Sequence, residues 1–291
     1  MPELPQDDPA RTAHQSPARP RGPSSAGMYD YALGGKDNHA ADRAAVDSIG
    51  EVLPEVRAAA WANRGFHQRA ALWMAQHGIT QLIDLGCGLP TTPSTQEAVQ
   101  KITPAARVLY VDHDPTVAAR AHALLTRPGT TSAALADLRD PRALLELVRL
   151  DGLIDLAVPA GLLCTAVLEH IPDPGDPWSC LARLVWALAP GSYLALSHLT
   201  ADHMPPDGMP AVLRACREAT DPVCPRPLRQ ITRFFGGLEL IPPYRGAARE
   251  LCTAGQWGAE DPELADDASS RWWWAGVARR PHGTPPAGPP A

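Results

Sequence analysis

Residues 82–88 have the sequence LIDLGCG, an apolar segment that contains one acid, Asp84, and ends on two closely spaced glycines. The apolar part is typical of a buried strand, and Gly86 allows the chain to turn tightly where that strand ends. Gly88 lets the backbone approach a ligand because it has no Cβ. Since open α/β sheets bind ligands at the carboxyl ends of their strands, this bend is the candidate binding loop.

The residues around the bend argue against a dinucleotide ligand. A dinucleotide fingerprint requires a third glycine, whereas this chain has Pro90 and Thr91 there. Asp84 also places a negative charge where a pyrophosphate would lie, and like charges about 4 Å apart repel by roughly 1 to 4 kcal/mol. The loop therefore favours a ligand with a cationic amine. S-adenosylmethionine has this chemistry, because it carries an ammonium and a sulfonium and has no phosphate.

Acidic residues also end the next two predicted strands. Asp112 is placed to accept hydrogen bonds from both ribose hydroxyls of a nucleoside. Asp137 is placed to accept from an adenine amino group, with Leu138 packing on the ring. Each acid has an alternative role, because Asp often caps the helix that follows a strand, as expected for Asp114 before Pro115. Three successive strands that end in Asp, with glycines at the first, favour a nucleoside site.

The rest of the chain alternates between short apolar runs and stretches of helical composition. Predicted strands lie at 81–85, 107–111, 131–136, within 156–166, and at 192–197, 238–241 and 272–278. Predicted helices lie at 41–60, 63–77 with Asn63 as N-cap, 94–102, 115–126, 141–150, 178–188 and after Pro210. Residues 244–270 show no clear pattern. This alternation predicts an α/β fold with a doubly wound, mostly parallel sheet covered by helices on both faces.

Composition limits the class of protein. Residues 1–25 contain six prolines and residues 281–291 contain five, so both are predicted to be disordered tails with too little apolar surface to offset ordering entropy. The formal net charge of −6 argues against a nucleic-acid binder. We expect a cytoplasmic protein, since no secretory signal or membrane span is visible. We also expect no metal, since the six cysteines include no Cys-x-x-Cys pair and no His-Glu-x-x-His occurs.

The order of the motifs resembles that of class I S-adenosylmethionine-dependent methyltransferases. The motifs are LIDLGCG at 82–88, YVDHD at 110–114, ADLRD at 136–140, LLCTAVLEHIPD at 162–173 and GSYLALSH at 191–198. More narrowly, MYDYALGGKDN at residues 28–38 looks like the N-terminal motif of an actinobacterial methyltransferase family formerly described as a domain of unknown function. The similarity runs from about residue 26 to 241, and GVAR at 276–279 resembles the family's last strand.

The resemblance implies a seven-stranded sheet with an antiparallel final strand, and S-adenosylmethionine as the cofactor. It implies one methyltransferase domain over residues 26–280, made of an N-terminal helical lid (26–62), a cofactor-binding core (63–200) and a C-terminal part of the sheet (201–280). The cofactor-binding positions are then Tyr29, Gly34, Gly35, Asn38, Arg64, Asp84, Gly86, Gly88, Asp112, His113, Asp137, Leu138, Thr165 and Ala166.

Several candidate residues keep an alternative interpretation. Tyr29 could close the pocket, or its segment could merely pack on the edge of the sheet. Arg64 could anchor a cofactor carboxylate or be a solvated helix arginine. His170 is the candidate general base, because imidazole titrates near about pH 6.5, but it could instead be bonded to backbone. Glu169 is a second candidate base, with a salt bridge as its alternative.

The sequence thus predicts methyl transfer from S-adenosylmethionine to an unidentified small-molecule acceptor. One alternative is a non-catalytic binder of S-adenosylmethionine or a nucleoside that acts as a regulator. Another is a nicotinamide-dependent oxidoreductase, which Asp84 and the absent third glycine disfavour. The fourth strand ends in Cys-Thr-Ala at residues 164–166 and not in Asn-Pro-Pro-Tyr, which disfavours methylation of DNA amino groups.

Overall fold

The computed structural model describes residues 22–283. The predicted N-terminal tail, residues 1–25, lies outside this range apart from its last four residues, of which Ser25 begins the first helix. The predicted C-terminal tail, residues 281–291, lies outside it beyond residue 283. Within the described range, no helix combines the length and the apolar character needed to cross a bilayer.

The described strands form one eight-stranded sheet. They are β1 (Gln81–Leu85), β2 (Arg107–Asp112), β3 (Thr131–Leu135), β4 (Gly161–Thr165), β5 (Tyr193–Leu199), β6 (Glu239–Leu240), β7 (Cys252–Thr253) and β8 (Trp273–Arg279). Their order is β3-β2-β1-β4-β5-β8-β6, and β7 pairs with β8. Strands β1 to β5 pair in parallel, whereas β8 is antiparallel to its neighbours. The predicted mostly parallel, Rossmann-like α/β fold is confirmed.

The sheet has one strand more than the seven that the resemblance implies. The addition is β7, two residues long, in which Cys252 pairs with Ala275 of β8. It lies in the segment 244–270, for which the sequence predicts no element. Two residues are too short to show the alternation by which a strand is recognised, so only the pairing with β8 defines this one.

The helices cover both faces of the sheet. They are α1 (Ser25–Ala32), α2 (Ala40–Gly50), α3 (Val56–Gln76), α4 (Thr95–Val99), α5 (Pro115–Leu125), α6 (Pro141–Asp151), α7 (Pro177–Ala187), α8 (Gly208–Ala215) and α9 (Leu228–Ile231). Three of them begin with proline directly after an Asp whose side chain accepts from a backbone N–H, namely Asp114, Asp140 and Asp176. Proline suits a first helical position because the N–H that it lacks has no partner inside the helix.

The predicted boundary between the first two helices is wrong. Instead of a helix over 41–60 and another capped by Asn63, α2 ends at Gly50 and α3 starts at Val56. Pro54 lies in the break, and the residue before a proline is disfavoured in helical conformation. Asn63 therefore lies inside α3, where its buried side chain bonds to other parts of the fold and caps nothing.

The core forms a layer on each side of the sheet. Leu82 of β1 belongs to the cluster that contains Phe66 of α3, whereas its neighbour Ile83 belongs to the cluster that contains Leu144 of α6 and Leu181 of α7. Successive strand residues point to opposite faces, so a sheet buried on both sides needs an almost continuous apolar run. That requirement explains why the polar Asp84 is conspicuous within its strand.

Candidate functional site

The strands β1, β2, β3 and β4 end at one cavity, here called the strand-end cavity, with about 1200 Å³ of empty volume. Helix α1 contributes to its wall through Ser25 and Tyr29. Most of the predicted site residues lie in this wall, namely Tyr29, Arg64, Asp84, Gly86, Gly88, Asp112, His113, Asp137, Leu138, Thr165, Ala166 and His170. Gly34, Gly35 and Asn38 do not.

The bend after β1 requires its glycines. Gly86 and Gly88 have φ angles of 60° and 64°, in the left-handed region that favours glycine. A Cβ on Gly86 would also come within 2.5 Å of the Val167 side chain. The N–H of Gly88 donates to Asp112 Oδ2 at 3.0 Å. The bend at the end of β1 thus holds the acid at the end of β2.

Asp84 is buried at the carboxyl end of β1, where its Oδ2 accepts from Thr95 Oγ1 at 2.6 Å. Burial raises the pKa of Asp84 to about 6, while the hydrogen bond from Thr95 and the positive charge of Arg64 oppose that rise. Asp84 is therefore mainly ionised at neutral pH and would be stabilised further by a cationic ligand.

His67 of α3 connects the ends of β1 and β4, a role that no sequence motif indicates. Its Nε2 lies 2.8 Å from Thr95 Oγ1, and its Nδ1 lies 2.9 Å from Thr165 Oγ1. Burial, with Arg64 nearby, lowers the pKa of His67 well below its ordinary value, so the ring is neutral. Because Thr95 donates its hydroxyl proton to Asp84, its oxygen accepts from His67 Nε2–H, and Thr165 then donates to Nδ1.

Arg64 is buried and not solvated, which removes its alternative interpretation. Its Nη2 donates to the carbonyl of Pro93 at 2.7 Å, and its Nε is buried with no hydrogen-bond partner among the described residues. A buried guanidinium N–H without a partner is costly. Arg64 also lines the strand-end cavity, where its positive charge would attract a ligand carboxylate.

Asp112 and His113 at the end of β2 connect to a part of the chain far away in sequence. Asp112 accepts from the N–H groups of Gly88 and Asp114, and burial raises its pKa. His113 Nε2 lies 2.9 Å from Asp221 Oδ1, and that hydrogen bond raises the pKa of His113. Asp221 Oδ2 accepts from Ser25 Oγ at 3.0 Å, so Asp221 joins β2 to helix α1. Sequence analysis did not identify Asp221.

Asp137 lies at the far end of the strand-end cavity and is already paired. Its carboxylate accepts from the side chain of Arg139, with Nη2 at 2.6 Å from Oδ2, and from the Arg139 N–H. The neighbouring Leu138 is buried in the wall. Asp114, the alternative helix cap of the sequence analysis, does cap α5.

The segment that contains Gly34, Gly35 and Asn38 packs behind Asp30 in the wall of the strand-end cavity. Gly34 has a φ of 83°, and a Cβ on Gly35 would collide with the carboxylate of Asp30. Asn38 Nδ2 donates to Asp30 Oδ2 at 2.8 Å. The structure thus places Gly34, Gly35 and Asn38 behind Asp30, which lines the strand-end cavity and which no sequence pattern indicated, so contact of these three residues with a cofactor stays a prediction.

Tyr29 also lines the strand-end cavity, and its hydroxyl is occupied. It donates to the carbonyl of Ala60 at 3.1 Å and accepts from Asn63 Nδ2 at 2.9 Å. Burial raises the pKa of Tyr29 to about 12. The phenol therefore stays neutral, and its ring serves as an apolar surface between helix α1 and the strand ends.

His170 and Glu169 follow β4 in the 3-10 helix Leu168–His170. His170 Nδ1 lies 2.9 Å from the carbonyl of Pro222, to which it must donate, so Nε2 keeps its lone pair. His170 is thus bonded to backbone, as its alternative interpretation expects, and it also lines the strand-end cavity, so its role as a general base stays a prediction. Glu169 is buried and forms no salt bridge among the described residues, so that alternative does not hold.

A second cavity, here called the apolar chamber, adjoins the first. The two share Ser25, Tyr29, Ala166 and His170 in their walls. Ala166 has a φ of 56°, a left-handed conformation that costs a residue with a Cβ about 1 to 2 kcal/mol. Such strain is concentrated at functional sites, and here it lies where the two spaces meet. In residues 22–283, no three His, Cys, Asp or Glu side chains are grouped as metal ligands would be.

Comparison with known proteins places this geometry in context. A family model described as S-adenosyl methyltransferase matches residues 12–281. A DUF574 family protein from Streptomyces avermitilis has 32% identity, covering 90% of this chain and 99% of its own, with a TM-score of 0.81. A candidate methyltransferase from Thermobifida fusca has 33% identity, covering 89% and 96%, with a TM-score of 0.80. No curated protein matches the chain.

Proposed function

Because the chain belongs to the S-adenosyl methyltransferase family, whose cofactor is S-adenosylmethionine, we propose that it transfers a methyl group to a small-molecule acceptor. The observation that supports this most is the pairing of two features in the strand-end cavity. A buried carboxylate, Asp84, adjoins the glycine bend, and a buried arginine, Arg64, has an N–H without a partner. Together they suit a group that carries both a positive and a negative charge, as the methionine part of the cofactor does.

The remaining wall residues suit the nucleoside part. Asp112 would accept from the ribose hydroxyls, since the Gly88 and Asp114 N–H groups already hold its carboxylate in place. Leu138 would pack on the adenine, with Asp137 at the same end of the strand-end cavity. Because Asp137 is paired with Arg139, we expect it to contribute less affinity than Asp112 does.

The cofactor supplies a methyl group on a positively charged sulfur, so the charge that drives the reaction is present before the acceptor binds. The residues of the chain have to hold the two reactants in line and exclude water. Correct orientation of two reactants can contribute about 7 to 11 kcal/mol to lowering a barrier. His170, whose Nε2 lone pair is free of backbone partners, would take a proton from an acceptor that must lose one.

We further propose that residues 26–62 act as a lid within a single domain spanning residues 26–280. Helix α1 supports this, because it contributes Ser25 and Tyr29 to the wall and reaches Asp221 through a hydrogen bond. A lid of this kind would shield the reacting groups from water once the cofactor has bound.

The proposal is tested by following S-adenosylhomocysteine. The full chain is incubated with methyl-labelled S-adenosylmethionine and a size-filtered metabolite extract of an actinobacterial culture. We expect S-adenosylhomocysteine and one labelled small molecule to form together, and both to be strongly reduced in Asp112→Ala when the cofactor concentration is near the wild-type Kd. Tight binding without turnover in any fraction would contradict an enzyme and favour a binding protein. No binding of S-adenosylmethionine would overturn the proposal altogether.

A further inference from the structure

The apolar chamber has about 770 Å³ of empty volume, counting the solvent space at its open mouth. Its wall includes side chains from α1, α2, α3, α8 and β5, from the loop after β4, and the two indoles of Trp272 and Trp273. Nearly all of these are apolar, for example Ile49, Val212 and Leu199. Because it shares part of its wall with the strand-end cavity, a molecule in the chamber lies next to whatever occupies that cavity.

Glu169 is the exception in this wall, since it is a carboxylic acid that is only 2% exposed. Its Oε2 has no hydrogen-bond partner among residues 22–283. Burial raises the pKa of Glu169 to about 8, and the hydrogen bond from its own backbone N–H and the positive charge of Arg226 offset this only in part. The carboxyl group is therefore poised between its neutral and ionised forms near physiological pH.

Arg226 does not neutralise this acid, because its own donors are used elsewhere. Its guanidinium donates to the carbonyls of Leu168 and Ile171, to Asp173 and to His198 Nε2. These bonds fix the loop after β4 and hold Glu169 and His170 beside the chamber. A carboxyl oxygen without a partner in apolar surroundings costs stability, and the cost is larger when the group is charged. A ligand that donates a hydrogen bond to the Glu169 carboxyl group would offset part of that cost.

We propose that the apolar chamber binds the methyl acceptor, and that the acceptor is a mostly apolar small molecule whose single amine or hydroxyl group donates a hydrogen bond to Glu169. This inference rests on the proposed methyl transfer and adds the chemical class of the substrate. Glu169 acts here as a binding and specificity residue. A hydrocarbon of the same shape would leave its oxygen without a partner, and a molecule with several polar groups would leave those groups buried without partners.

The test uses three probes of the same shape: 2-phenylethylamine, 2-phenylethanol and propylbenzene. Their binding to the full chain is measured by ligand-observed NMR in the presence of S-adenosylhomocysteine. We expect the amine or the alcohol to bind about tenfold more tightly than propylbenzene, the effect of one added hydrogen bond in an apolar site.

The variants show whether Glu169 is the cause. Glu169→Leu should abolish the preference while leaving propylbenzene binding intact, and the near-isosteric Glu169→Gln should reduce it. The matched control is Glu218→Gln, which removes an exposed acid outside the chamber and should change nothing. Cys216→Trp, which fills space in the chamber wall, should exclude all three probes.

Three results would overturn the inference: equal binding of the three probes to the wild type, a preference that persists in Glu169→Leu, or no binding of any probe. Titration of every variant with S-adenosylhomocysteine keeps this test separate from that of the proposed function. If the cofactor product binds and the probes show no preference, the substrate class is wrong while methyl transfer stands. If the cofactor product does not bind, the proposed function itself fails.

Discussion

Asp84 and Asp112 end adjacent strands, and burial raises the pKa of both carboxyl groups. The negative charge of Asp112 raises the pKa of Asp84 further. A cationic ligand would stabilise the ionised form of Asp84, so binding and ionisation are linked. Asp112 is held by two backbone N–H groups, an arrangement suited to accepting hydroxyl hydrogen bonds in a fixed direction.

Replacing Asp112 with alanine should weaken S-adenosylmethionine binding by about 1.5 to 3 kcal/mol, the loss expected for hydrogen bonds to a charged group. Isothermal titration calorimetry measures this directly. The control is Asp140→Ala, which removes the cap of α6 and leaves the strand-end cavity unchanged. Equal affinities for wild type and Asp112→Ala would show that Asp112 does not hold the ribose.

Replacing Thr95 with valine should make cofactor binding more sensitive to acid. The Thr95 hydrogen bond lowers the pKa of Asp84 from where burial alone would place it, so its loss should raise that pKa above about 6. The ionised form that attracts the cation is then lost at a higher pH. The affinity for S-adenosylmethionine is measured at several pH values above and below 6. On acidification it should fall at a higher pH in Thr95→Val than in wild type. The control is Thr116→Val, which alters an exposed helix residue and should behave as wild type. Coincident pH profiles would contradict this role.

Among the elements, helix α1 and the segment after α8 are hydrogen-bonded to each other next to the end of β2. Asp221 bonds to Ser25 of α1 on one side and to His113 on the other. These partners are 196 and 108 residues away in sequence, so no local pattern could reveal the contact. The same holds for His67 of α3, which bonds to Thr165 at the end of β4 and to Thr95 of α4, the partner of Asp84. Asp84, Asp112 and Asp137 were predictable because each lies at or near the carboxyl end of an apolar run.

Removal of α1 should open the strand-end cavity. A chain lacking residues 1–40 loses Ser25, Tyr29 and Asp30 from the wall, whereas a chain lacking residues 1–22 keeps them and serves as the matched control. We expect the longer truncation to bind S-adenosylmethionine at least about tenfold more weakly, a loss of about 1.4 kcal/mol or more in binding free energy. Circular dichroism checks that both chains are folded. Identical affinities would remove the lid hypothesis.

The contact between His113 and Asp221 should make stability depend on pH. Pairing with Asp221 raises the pKa of His113. The pair therefore stabilises the folded state fully below the ordinary histidine pKa, and this stabilisation is lost as pH rises through the raised pKa. The thermal midpoint of wild type should therefore exceed that of Asp221→Asn at about pH 6, and the difference should shrink as pH is raised towards about 9. A difference independent of pH would contradict a charged pair.

For the whole molecule, the parallel sheet and its ligand-binding edge followed from the sequence, because buried strands and glycine bends are local patterns. The break at Pro54 was missed because alanine-rich runs lie on both sides of it, although Gly50 and Pro54 are a local signal for it. The strand β7 was missed because only its pairing with β8 defines it. The apolar chamber was also not predictable. It forms where helices from both ends of the chain meet the loop after β4.

The central claim is that the acid before the glycine bend selects a positively charged adenosyl compound over one that carries phosphate. The most direct measurement is a pair of calorimetric titrations of the full chain, one with S-adenosylmethionine and one with NAD. We predict saturable one-to-one binding of S-adenosylmethionine and no detectable heat with NAD. Binding of NAD in preference to S-adenosylmethionine would contradict the account at its foundation.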